Sequence, residues 1–135
     1  MSPTLPSRLV DHSADPEFDR SRLRFAAMLI GIGTLHFVAP RPFERIVPGW
    51  IPNARAAVLW SGVAEVGAGA LIAVPRTARI GGWLAAATIV SVYPANIQMS
   101  VDAWRGGSTA AKVATTVRLP MQLPMVARAL RLARG

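Results

Sequence analysis

Residues 56–74 form an apolar run interrupted by a single charge, Glu65. A helix needs roughly 20 predominantly apolar residues to cross the hydrocarbon core of a bilayer, and this run has that length. A carboxylate held at such depth is costly unless it is paired, protonated or hydrated. Glu65 therefore demands polar partners from other segments, and any fold of this chain has to deliver them. Gly62, Glu65 and Gly69 fall on one helical face at i, i+3 and i+7. Two glycines beside the acid let a neighbouring helix approach closely.

The remaining composition points the same way. Hydrophobic residues make up 52% of the 135 residues and charged residues 16%, a balance more apolar than that of soluble domains. The charges gather between long apolar segments, as in integral membrane proteins. The net charge of +8 comes from 14 arginines and one lysine against seven acids. A basic chain can signal nucleic-acid binding. Here the arginines flank apolar segments, where they anchor helices at anionic headgroups. No face interleaves aromatic and basic residues to stack bases. The bilayer, not nucleic acid, is the expected partner. Cysteine is absent, which excludes disulfides, thiol redox chemistry and thiolate metal sites in this chain. The Arg/Ala/Gly bias suggests a GC-rich bacterium, and hence the bacterial inner membrane.

Residues 1–22 are polar, hold three prolines and mix Asp11, Asp15, Glu17 and Asp19 with arginines. They read as a disordered cytoplasmic tail, too long and acidic for the start of a signal peptide, with His12 solvated. The membrane domain is expected over residues 23–132, with spans at about 23–39, 56–74, 80–101 and 113–132. Gly31 and Gly33 offer close packing in the first span. Residues 40–55 hold Pro40, Pro42, Pro48 and Pro52, which prevent a long helix. Between them Phe43, Ile46, Val47 and Trp50 recur at helical spacing. We read this stretch as a short interfacial turn anchored by Trp50; a lid over the bundle mouth is the alternative. Arg76 and Arg79 mark a tight turn after Pro75. The third span carries Pro94, which cannot bond to the Val90 carbonyl and should kink the helix near Tyr93 and Asn96. Residues 102–112 read as a second outer loop. The fourth segment contains Arg118, Gln122, Pro120 and Pro124; accepting it as a span closes an all-α, four-helix transmembrane bundle.

Lys/Arg counts orient that bundle. Nine basic residues fall on the side of the tail, the Arg76/Arg79 turn and the C-terminus, against five in the two opposite loops. Both termini are therefore expected in the cytoplasm. At ~1.5 Å of rise per residue, His36 and Asn96 lie about a turn below the outer surface, as does Arg118. Glu65 and Gln122 lie ~13 Å deep. Arg118 and Gln122 share a face at i, i+4. One polar cluster in the outer half of the bundle accommodates His36, Glu65, Asn96, Arg118 and Gln122, with Ser61 and Tyr93 beside it. Two readings of the cluster stay open. In one, Glu65 and Arg118 form a buried ion pair that fixes the bundle register, with the other three satisfying leftover hydrogen bonds. In the other, the five line an outward-opening pocket for a headgroup or a quinone ring.

The motifs Gly33-Thr-Leu-His36-Phe-Val-Ala-Pro40, Phe43-Glu-Arg-Ile-Val-Pro48 with Ile51-Pro52, Ser61-Gly-Val-Ala-Glu65, Tyr93-Pro-Ala-Asn96-Ile-Gln-Met99 and Arg118-Leu-Pro-Met-Gln122, in this order, resemble the DoxX-like bacterial membrane proteins. The resemblance covers roughly residues 24–129. It implies a four-helix membrane bundle with His36, Glu65, Asn96, Arg118 and Gln122 as its polar motif positions. Some relatives look like subunits of sulfur- or quinone-linked oxidoreductase systems, and distant ones resemble receptor-assembly chaperones. The expected function is thus a small inner-membrane protein whose pocket binds a quinone or similar amphiphile and serves a partner oxidoreductase. The rival is an assembly factor or structural subunit, working with a membrane protein partner or as a homo-oligomer. A solute carrier fits least, because the chain has no internal repeat. One His and one Glu on different helices do not make a metal site.

Overall fold

A computed structural model describes residues 16–135. The start of the expected tail, with Asp11, His12 and Asp15, lies outside the described residues. Every regular element among the described residues is helical: α1 (Pro16–Val38), α2 (Pro40–Glu44), α3 (Ala54–Ala73), α4 (Ala78–Gly106) and α5 (Thr109–Arg134), with a 3-10 turn at Pro75–Thr77. Local chemistry sets the helix boundaries. Pro16 opens α1, and Glu17 and Asp19 sit in its first turn, where a fixed φ and negative charge suit the helix start. The Asn53 side chain accepts from the Ala56 amide at the start of α3, and Ser108 does the same for Ala111 at the start of α5. These caps satisfy amides that have no partner inside the helix. Val74 is extended, as the residue before a proline prefers, and α3 stops there.

Three boundaries differ from the sequence reading. α1 begins at Pro16, so residues 16–22 are helical where a disordered tail was expected. The reason lies in Arg22, which is buried and donates to the carbonyls of Ile72 and Ala73 at 2.6 and 2.9 Å. It caps the C-terminal carbonyls of α3, so the first helix needs those extra turns. The expected outer loop at 102–112 shrinks to Gly107 and Ser108, because α4 runs to Gly106 and α5 starts at Thr109. Trp104 Nε1 donates to Thr116 Oγ1 at 2.9 Å and Lys112 sits 5.6 Å over the Trp104 ring, tying the two helices at their junction. Pro94 lies inside an uninterrupted α4, and Pro120 and Pro124 inside α5.

α1 packs on α3, α3 on α4, and α4 on α5, with α2 resting on α1 and α3. The helices thus pack in the order α1, α3, α4, α5, and side chains also link α5 to α1, with Arg128 5.9 Å from the Phe25 ring. Glycines set the close crossings. A Cβ at Gly62 would lie 2.8 Å from His36 Cβ and 3.0 Å from the Gly33 carbonyl, and one at Gly69 would lie 2.8 Å from the Ala26 carbonyl. Gly62 and Gly69 thus serve the α1–α3 crossing that their spacing predicts. Gly31, expected to pack closely, has open space beside it.

The interior divides into two halves. The half toward the α1 N-terminus is an apolar core of Phe25, Leu29, Ala68, Ile72, Ala85, Ala129 and Leu132. The other half is hollow. Two stretches, Ala54–Ala73 and Pro75–Gly106, are long and apolar enough to cross a membrane. α1 and α5 carry more arginines. Large apolar side chains nonetheless point outward along the bundle: Trp60 is 73% exposed, Trp104 61% and Leu123 65%.

Candidate functional site

The hollow half is a cavity of about 350 Å³, a size that suits a small ligand. Four helices contribute polar groups to it: His36 from α1, Ser61 and Glu65 from α3, Asn96 from α4, and Arg118 and Gln122 from α5. All five residues singled out in the sequence therefore line one space. The apolar wall comes from the same helices, with Met28 and Ile32 on α1, Val58 on α3, Ile89 and Val92 on α4, and Met125 on α5.

Glu65 is buried, and its nearest polar neighbour is His36, not the expected Arg118. His36 Nδ1 lies 3.4 Å from Glu65 Oε2, while Arg118 makes no ion pair among the described residues. The correction follows from the crossing of α1 and α3. Gly33 and Gly62 bring the two backbones together, and that places His36 over Glu65. Arg118 is exposed on α5 while also lining the cavity. His36 Nδ1 also lies 2.8 Å from the Ile32 carbonyl. A carbonyl only accepts, so Nδ1 carries the proton and gives it to Ile32. The contact with Glu65 is thus electrostatic and longer than a good hydrogen bond. Glu65 Oε2 and Gln122 Oε1 are buried with no hydrogen-bond partner among the described residues. The Asn96 side chain, also buried, makes no hydrogen bond with the described residues.

The supporting residues divide. Ser61 lines the cavity, and its hydroxyl donates to the Val58 carbonyl at 2.8 Å. Tyr93 does not reach the cavity. Its hydroxyl donates to the Leu119 carbonyl at 3.4 Å and joins α4 to α5. The segment after α1 does more than anchor. Phe43, Ile46, Val47, Pro48, Trp50 and Ile51 all line the cavity, and the Phe43 ring stacks on His36 with centroids 4.0 Å apart at 25°. The helical recurrence of Phe43, Ile46, Val47 and Trp50 was the signal for this covering. Trp50 itself remains 75% exposed. Met28, Ile32 and Met125 left no sequence signal, since apolar residues on a helix read as core.

The donor set is oxygen- and nitrogen-based but sparse. Among the described residues no group of three or more His, Cys, Asp or Glu side chains is placed to hold a metal ion. The cavity is lined by two unpartnered acceptors, one guanidinium and a stacked aromatic pair within an otherwise apolar wall. No curated protein and no solved structure gives a significant match to the chain. One family model does match, spanning residues 25–133 and so including every residue of the cavity. The chain belongs to that family, whose description is domain of unknown function (DUF8561).

Proposed function

We propose that this is a four-span protein of the bacterial inner membrane, with both termini in the cytoplasm, whose cavity receives the ring of a quinone-type amphiphile on behalf of a partner oxidoreductase. The observation that carries this reading is the convergence of His36, Glu65, Asn96, Arg118 and Gln122, from four helices, on one mostly apolar cavity. A ring with an apolar tail matches such a chamber: polar atoms meet the five side chains, and the tail meets the aliphatic wall. The outward-facing tryptophans and the Lys/Arg asymmetry support the bilayer setting. The DoxX-like likeness of the motifs enters as part of this proposal, beside membership of the DUF8561 family. Glu65 and Arg118 would set the charge of the cavity, Asn96 and Gln122 would meet the oxygens of the ring, and His36 would border it.

A second reading, an assembly factor or structural subunit, draws on the His36–Glu65 contact, which ties α1 to α3. A thermal-shift series separates the two. Alkylated ring compounds, in oxidised and reduced forms, should raise the melting temperature more than alkylbenzenes of equal length. His36→Ala and Asn96→Ala should lose that difference while keeping most of the unliganded stability. Equal shifts for ring compounds and controls would remove the binding reading and leave the structural one.

A further inference from the structure

We infer that the cavity selects a ligand that brings its own O–H donor, a phenol or hydroquinone ring, over the oxidised quinone. The inference rests on the cavity being a ligand site and adds which chemistry it selects. Two buried side-chain oxygens face the cavity without a partner, Glu65 Oε2 on α3 and Gln122 Oε1 on α5. Both residues are more than nine-tenths buried. An orphaned buried acceptor costs free energy until a donor reaches it. His36 Nδ1 lies 3.4 Å from Glu65 Oε2, but its proton is directed to the Ile32 carbonyl at 2.8 Å. Ser61 is likewise committed, to Val58.

A quinone offers only carbonyl oxygens. Asn96 and Arg118 can donate to those oxygens, but a quinone has no proton to give Glu65 or Gln122, so the orphaned acceptors would stay unsatisfied. A phenolic hydroxyl donates its proton to an acceptor and keeps lone pairs to accept from a second group. Arg118 supplies the complementary donor, since its guanidinium borders the same cavity and makes no hydrogen bond or ion pair with the described residues. One hydroxyl oxygen can therefore give its proton to Glu65 or Gln122 and accept from Arg118. A carboxyl group keeps acceptor lone pairs whether ionised or protonated, so the preference does not depend on the charge of Glu65.

The test compares three probes of nearly equal size: a decyl-substituted hydroquinone under anaerobic reducing conditions, the corresponding quinone, and the hydroquinone dimethyl ether. The parent protein should bind the hydroquinone at least tenfold more tightly than the other two, by calorimetry or thermal shift in detergent. Glu65→Gln offers an amide donor and should narrow the preference by improving quinone binding. Gln122→Leu removes the other acceptor and should weaken the hydroquinone more than the quinone, a second readout if Glu65→Gln folds poorly. Equal affinity for hydroquinone and quinone would overturn the inference and leave the ligand cavity standing. Absence of binding by all three would overturn the cavity reading itself.

Discussion

His36 Nδ1 lies 3.4 Å from Glu65 Oε2 across the α1–α3 crossing, and the same nitrogen lies 2.8 Å from the Ile32 carbonyl. The contact exists because Gly33 and Gly62 remove the side chains that would hold the helices apart. The first prediction concerns that crossing. A methyl group at Gly62 would meet His36 Cβ at 2.8 Å and the Gly33 carbonyl at 3.0 Å. Gly62→Ala should destabilise by about 1–3 kcal/mol, the usual cost of overpacking. Gly31→Ala, with open space around it, should be neutral or stabilising by up to about 1 kcal/mol through helix propensity. Detergent melting curves of the two variants check this, and equal losses would show that the crossing is not glycine-limited.

Coupling distinguishes the observed partner of Glu65 from the one that sequence spacing suggested. Residues in contact usually show interaction energies of about 0.5–3 kcal/mol. A double-mutant cycle on His36→Ala and Glu65→Gln should give a value in that range. The cycle on Glu65→Gln and Arg118→Gln should come out smaller. The reverse order would restore the Glu65–Arg118 pair as the bundle's central contact.

Arg22 makes a prediction at the opposite end of the bundle. Its guanidinium donates to the Ile72 and Ala73 carbonyls and pairs with Asp19 at 3.2 Å. Hydrogen bonds to a charged group are worth about 1.5–3 kcal/mol. Arg22→Met should lower stability by about that amount and leave ring-compound binding unchanged, since Arg22 does not line the cavity. A loss of binding without a loss of stability would contradict the separation of the two halves.

Topology is open to direct labelling, because the chain has no cysteine of its own. Gly49→Cys and Gly106→Cys occupy positions with open space around them, and Arg76 is exposed at the other end. An impermeant thiol reagent applied to intact spheroplasts should label the first two and spare Arg76→Cys. Labelling of all three from one side would end the four-span arrangement.

How far the sequence carried this account depended on the kind of signal. Glu65 stood alone in an apolar run, so the need for converging polar partners was visible, and His36, Asn96, Arg118 and Gln122 could be placed by depth along their helices. Their pairing was not visible, because it is decided by the rotation of α1 against α3 at Gly33 and Gly62. The tail boundary is not legible in the sequence, because Arg22 reads as a surface charge and becomes buried only when the α3 carbonyls come to meet it. The outer loop at 102–112 was overestimated because Gly106, Gly107 and Ser108 suggest a long break, whereas the Ser108 cap and the Trp104–Thr116 bond allow a two-residue turn. The covering of the cavity by Phe43, Ile46 and Val47 was written in their helical spacing, but prolines on both sides suggested an isolated interfacial turn.

The central claim is that the cavity holds a ring-bearing amphiphile. Mass spectrometry of the lipid-soluble compounds that extract with protein purified from its own membranes tests it most directly, with Ala95→Phe as the comparison, since Ala95 lines the cavity and a larger side chain would fill it. The account predicts a ring-bearing compound near one equivalent in the parent protein and its loss from Ala95→Phe, with bulk phospholipid unchanged. Identical lipid profiles for the two, with no enriched compound in the parent, would contradict it.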